Sequence, residues 1–99
     1  MPRPVRCRRV AIEPNTTYFK PAGIPVRDLQ EVILSVEEFE ALRLKDVQGL
    51  DQTEAAKKMK VSQPTFFRLL DSSRKKVSDA IVNGKAIRIE GGNYKLFKQ

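Results

Sequence analysis

Apolar positions along the chain follow two rhythms, which change near residue 35. Before it, five of the six prolines (Pro2, Pro4, Pro14, Pro21 and Pro25) break the sequence and favour extended backbone. Val10 and Ile12 alternate around Ala11 as a weak strand signal, and Thr17–Gly23 looks like a loop pinned by Tyr18 and Phe19. Residues 28–34 fit a short helix or a strand equally well.

From Ser35 onward the apolar spacing is helical and the ends are marked. Ser35 with Glu38 three residues later forms a capping box, with Leu34 and Phe39 at the staple positions around it. This predicts a helix to about Val47, ended by Gly49. Asp51 and Glu54 repeat the box and open a second helix through Met59. Ser62 caps a third, with Pro64 in its first turn, Val61 and Phe66 as its staple pair, and Asn83-Gly84 as its stop after Val82. Beyond it, residues 85–90 alternate like a strand before the Gly91-Gly92 turn. The expected architecture is mostly α: an extended arm (1–34), a three-helix core holding a helix-turn-helix (35–84), and a C-terminal strand and tail (85–99). A small two-stranded sheet pairing residues 85–90 with residues 8–13 is compatible with this pattern.

The second and third helices carry the most informative spacing. Two helices crossing steeply over a tight turn need small residues at the crossing, and Ala55-Ala56 supplies them. Met59, Val61, Phe66 and Leu69 stand where they can seal the contact, and Lys60-Val61 is a turn short enough for a crossing of roughly 90–120°.

Composition adds a polyanion to this picture. The 99 residues carry 19 Lys and Arg against 12 Asp and Glu, a formal net charge of +7. The excess is segregated. Arg3, Arg6, Arg8 and Arg9 precede any acid. Residues 28–54 are acidic, and residues 55–78 turn basic again with Lys57, Lys58, Lys60, Arg68, Arg74, Lys75 and Lys76. Clustered charge of this kind suits one face for nucleic acid; solvated helix faces are the bland alternative. The longest apolar runs are three residues, so neither a membrane span nor a secretory signal is expected. A single cysteine, Cys7, cannot form an internal disulfide and fits a reducing cytoplasmic setting. With no histidine there is no zinc site and no Cys–His nucleophile pair, and no glycine-rich phosphate loop is present. Glu37, Glu38 and Glu40 read as cap and solvent-face residues. The expectation is a protein that is not an enzyme and needs no cofactor or metal.

Residues 34–82 resemble the region-four helix-turn-helix of sigma-type transcription factors. More closely, the chain resembles a family of small, basic, uncharacterised prokaryotic proteins predicted to bind DNA. An arginine-rich start, TYFKPAG (Thr17–Gly23), EFEALRL (Glu38–Leu44), EAA (Glu54–Ala56), PTF (Pro64–Phe66) and RIEGG (Arg88–Gly92) carry the resemblance over residues 2–92, with the tail NYKLFKQ outside it. Departures from the family pattern bear on specificity. Lys60 stands where glycine is common, and Gln63 and Phe67 stand where Arg and Ser are common.

In this docking mode the first turn of the third helix meets base edges, nominating Gln63, Pro64, Thr65, Phe67 and Arg68. Gln63 suits adenine, and Arg68 suits guanine O6 and N7 unless it pairs with Asp71 instead. Thr53 and Lys57 would face a phosphate, and Arg74 and Lys75 would follow phosphates along the helix. Arg3, Arg6, Arg8 and Arg9 would act as a minor-groove arm, or equally form a disordered or sheet-bound basic tail. The expected function is sequence-specific binding of double-stranded DNA in transcriptional regulation. Two rivals stand beside it: a protein-interaction module contacting RNA polymerase through the acidic first helix and Phe67, and an RNA-binding protein stacking bases on Tyr18, Phe19 and Tyr94. Readers of this kind commonly work as homodimers, for which the arm or the tail would have to supply the contact.

Overall fold

A computed structural model describes residues 8–96; Arg3, Arg6 and Cys7 lie outside the described residues. The chain is mostly α with a small β component, as the pattern predicts. In order it forms β1 (Arg8–Val10), β2 (Tyr18–Phe19), a 3-10 turn (Val26–Asp28), β3 (Glu31–Leu34) and α1 (Val36–Leu42). A π-helical turn (Arg43–Val47), α2 (Gln52–Met59), α3 (Gln63–Asn83), β4 (Ala86–Ile89) and β5 (Tyr94–Leu96) follow. The ambiguous stretch 28–34 thus divides into the end of a turn and a strand.

Local chemistry sets the helix starts. At α1 the full box is present: Glu38 N–H donates to Ser35 Oγ (3.1 Å), and Ser35 N–H donates to Glu38 Oε1 (2.9 Å). At α2 only half of the expected box forms, Glu54 N–H donating to Asp51 Oδ1 (2.8 Å). The first helical run reaches Val47 as expected, but its last turn is wider, Gln48 N–H bonding to the Arg43 carbonyl (2.9 Å). Leu44 is buried within that turn while Arg43 reaches back to Glu40.

The expected pairing of residues 85–90 with residues 8–13 is not what forms. β4 lies between β2, antiparallel to it, and β3, parallel to it, with Ile87 opposite both Phe19 and Val32. β1 instead pairs in parallel with β5, Arg8 opposite Tyr94 and Val10 opposite Leu96. The Gly91-Gly92 turn, with both residues at positive φ, carries the chain from one sheet to the other. A Cβ on Gly92 would sit 2.9 Å from Glu37 Oε1, the same atom that accepts the Asn93 amide at 2.8 Å. Glycine is therefore needed there both for its φ and for close approach.

Two apolar clusters hold the layers. One joins Ala41, Leu44, Ala55, Ala56, Met59, Phe66 and Leu70 between the helices. The other joins Val10, Leu34, Val36 and Ile89 where the strands meet α1. Fully burying side chains such as Phe66, Leu44 and Met59 contributes about 1.5–3 kcal/mol each.

The acidic carboxylates of α1 are a correction to the solvent-face reading. Glu37, Glu38 and Glu40 are all buried. Glu37 takes the Asn93 amide and pairs with Arg8 (3.0 Å). Glu38 holds its own cap, the Ser72 hydroxyl and the Lys76 ammonium (2.7 Å). Glu40 accepts from the Ala11 amide (2.8 Å) and, at two points, from Arg43 (2.6 and 2.9 Å). One helix thus fastens β1, α3 and the link to β5 through three neighbouring side chains, each charge matched by a donor as burial requires.

Candidate nucleic-acid interface

The turn between α2 and α3 is built by one strained residue. Lys60 adopts the left-handed conformation (φ 57°, ψ 45°), and among the described residues it alone does so without being glycine. Its amide returns to Lys57 O (3.1 Å), and Val61 N–H returns to Ala56 O (3.0 Å), closing the helix end as a Schellman motif does. Two residues later Ser62 opens α3, its Oγ accepting from Thr65 N–H at 3.2 Å. Ala55 and Ala56 are buried against α3, and Met59, Val61, Phe66 and Leu69 belong to the cluster that seals the crossing.

This arrangement sorts the start of α3. Phe66 and Leu70 are buried; Gln63, Pro64 and Arg68 are exposed, and Phe67 is 52% exposed. Thr65 is half-buried, its hydroxyl bridging Ser62 Oγ (3.0 Å) and Arg68 Nη2 (3.4 Å). The alternative partner of Arg68 is otherwise engaged, since Asp71 pairs with Lys75 at 3.3 Å. On α2, Thr53 and Lys57 are exposed as expected, and Lys57 and Lys58 have no charged partner among the described residues.

Other nominated cations are drawn away from this face. Arg74 makes a two-point contact with Asp46 (3.0 and 2.6 Å), which holds the Asp46 carboxyl below its ordinary value and lifts the guanidinium above its own. Lys75 is highly exposed beside Asp71. Arg8 is tied to Glu37, so it is part of the fold's scaffold. Arg9 lies on β1 and shares a cavity with Arg43, Lys57 and Lys58. Lys58 and Arg43 were absent from the sequence-based set; for Lys58 the signal was available in the run Lys57-Lys58-Met59-Lys60.

Thr17–Gly23, expected as a loop, places Tyr18 and Phe19 on β2, and Tyr18 is not an open stacking platform there. Its hydroxyl donates to Glu31 (2.5 Å), the Arg88 guanidinium lies 4.8 Å from its ring centroid, and Arg88 grips Glu31 at two points. The bond to Glu31 pushes the Tyr18 phenol up, and Arg88 draws the Glu31 carboxyl down. Phe19 is half-exposed. Among the described residues no helix is long and apolar enough to cross a membrane, and no cluster of His, Cys, Asp and Glu could hold a metal ion.

No solved structure matches the chain. A UPF0251 protein of Thermoanaerobacter sp. (strain X514) is 63% identical over 99 residues, covering 100% of this chain and 88% of the relative. One from Caldanaerobacter subterraneus subsp. tengcongensis is 65% identical over 97 residues, covering 98% and 82%. Another, from Dehalococcoides mccartyi, is 58% identical over 96 residues, covering 97% and 82%. The family described as "Protein of unknown function DUF134" matches residues 1–97, so the likeness extends past Gly92 into the tail that the motifs left out. The chain belongs to this family of uncharacterised prokaryotic proteins, DUF134 or UPF0251.

Proposed function

We propose that this protein binds double-stranded DNA sequence-specifically through a helix-turn-helix formed by α2 and α3, as a regulator of transcription. The observation that carries this reading is the exposed first turn of α3. Gln63, Pro64, Phe67 and Arg68 stand outward over a turn fixed by Lys60, beside Lys57 and Lys58, which form no ion pair among the described residues. Gln63 and Arg68 then read base edges, and the α2 lysines hold the backbone. The reading needs no catalytic step and no cofactor.

Both rivals have less behind them. A polymerase contact built on the acid of α1 finds Glu37, Glu38 and Glu40 buried, leaving Phe67 as its main support. Base stacking on Tyr18 meets a ring already covered by Arg88.

The test is selection from random duplex DNA at two salt concentrations, with complexes resolved by size. An enriched motif, bound more tightly than scrambled duplex and weakened about 100-fold by Arg68→Glu at unchanged melting temperature, is expected. A palindromic motif bound by two chains would add a homodimer. Weak, salt-sensitive binding without an enriched motif, unaffected by Arg68→Glu, would overturn the reading.

A further inference from the structure

We propose that the cavity between β1, the π-helical turn and α2 binds a small phosphate-bearing anion, and that its occupancy weakens DNA binding. Only the second half rests on the DNA-binding reading.

The cavity measures about 350 Å³, at the lower end of the range of small-molecule sites and too large for a lone phosphate ion. Its walls come from three distant segments of the chain. Ile12 and Leu44 supply apolar surface, and Gln48 a neutral amide. Lys57 and Lys58 bring two cations that form no ion pair among the described residues, beside Arg9, which has contacts of its own, and Arg43, which is matched by the carboxylate of Glu40. That carboxylate is already satisfied: Arg43 holds both of its oxygens and the Ala11 amide holds one. Glu40 therefore offers little to an incoming cation, while Lys57 and Lys58 leave the recess positive. Cationic walls around a partly apolar recess concentrate the field where an anion would sit. Lysine ammonium groups suit phosphate as point charges, and the apolar wall accommodates a small organic body.

The position of the cavity determines its consequence. Lys57 and Lys58 are on the first helix of the helix-turn-helix, and Lys57 is the residue offered to a DNA phosphate. An anion held there neutralises that charge and repels the duplex backbone. The coupling is reciprocal, so duplex must also weaken the anion.

The probes are inorganic pyrophosphate and adenosine monophosphate, titrated calorimetrically into the full chain at constant ionic strength. One saturable site per chain is expected for at least one probe. Lys58→Gln should weaken it about ten-fold, whereas Lys20→Gln, an equal loss of charge outside the cavity, should not. No saturable binding, or equal binding by Lys58→Gln, would overturn the site. In a second arm, duplex affinity is measured with and without the bound probe at matched ionic strength. A fall that Lys58→Gln abolishes supports the coupling; an unchanged affinity sinks it. Probe binding without any duplex binding would leave the site standing and remove the DNA reading. If neither probe binds the parent chain while Lys58→Gln weakens duplex binding, the cavity belongs to the DNA backbone and the proposal ends.

Discussion

α1 and the α2–α3 pair carry opposite charges, and they place them in opposite directions. The carboxylates of α1 turn inward, where each holds a backbone amide or a cation from a distant segment. The basic side chains at the α2–α3 turn point outward and are largely unpaired, while those farther along α3 meet carboxylates of α1 and its π-helical extension. A charge run in a sequence is therefore two different things. In α1 it is architecture; at the start of α3 it is surface available to a partner.

Variants on each side should separate stability from binding. The largest effect is expected from Glu40→Ala. Glu40 is 2% exposed, and its loss leaves a half-buried Arg43 and the Ala11 amide without their acceptor. Breaking such a pair costs about 3–5 kcal/mol, read as a lower urea midpoint, with duplex affinity unchanged below the melting range.

Glu38→Gln comes next, at about 2 kcal/mol at neutral pH, because it weakens contacts to Lys76 and Ser72. Burial pushes the Glu38 carboxyl up, but Lys76, Ser72 and the Ser35 amide together bring it below its ordinary value of 4.5. Its contribution is thus full above that pH and is lost as the pH falls through the lowered folded value. Melting temperature against pH should be flatter below pH 4.5 in the variant than in the parent, and identical slopes would contradict this account.

Lys60→Gly acts in the other direction. Removing the Cβ from a left-handed residue should stabilise by about 1 kcal/mol, raising the melting temperature by roughly 4–8 °C in a domain of this size. The smallest stability effect belongs to Asp46→Asn, an exposed and solvent-screened partner worth less than about 0.5 kcal/mol. Its value is in binding. Freed from Asp46, Arg74 becomes available to a phosphate, and the slope of log affinity against log salt should steepen by about 0.9.

The sequence was most legible where the determinants are local. Ser35, Asp51 and Ser62 cap their helices within three residues, and Lys60 occupies the one step where a two-residue turn must reverse hand. The inward and outward positions of α3 follow from 3.6-residue spacing, and so Phe66 and Phe67 separate as expected. Strand pairing was not legible: β1 and β5 have three residues each, and nothing in Arg8-Arg9-Val10 specifies Tyr94-Lys95-Leu96 as its neighbour. The burial of Glu37 and Glu40 was hidden for the same reason, because their partners arrive from residues 93 and 11. Arg74 illustrates the converse. It lies on a basic helix, and its engagement depends on an aspartate 28 positions away.

The central position of β4 also has a consequence for biogenesis. Both of its neighbours, β2 and β3, are made long before it, and Leu34 waits for Ile89. At about 5–20 residues per second that delay is roughly 3–11 s, during which the three helices are still being made and two strand edges stand open. That sheet closes only after the ribosome delivers Ala86–Ile89, and until then its open edges expose the nascent chain to aggregation.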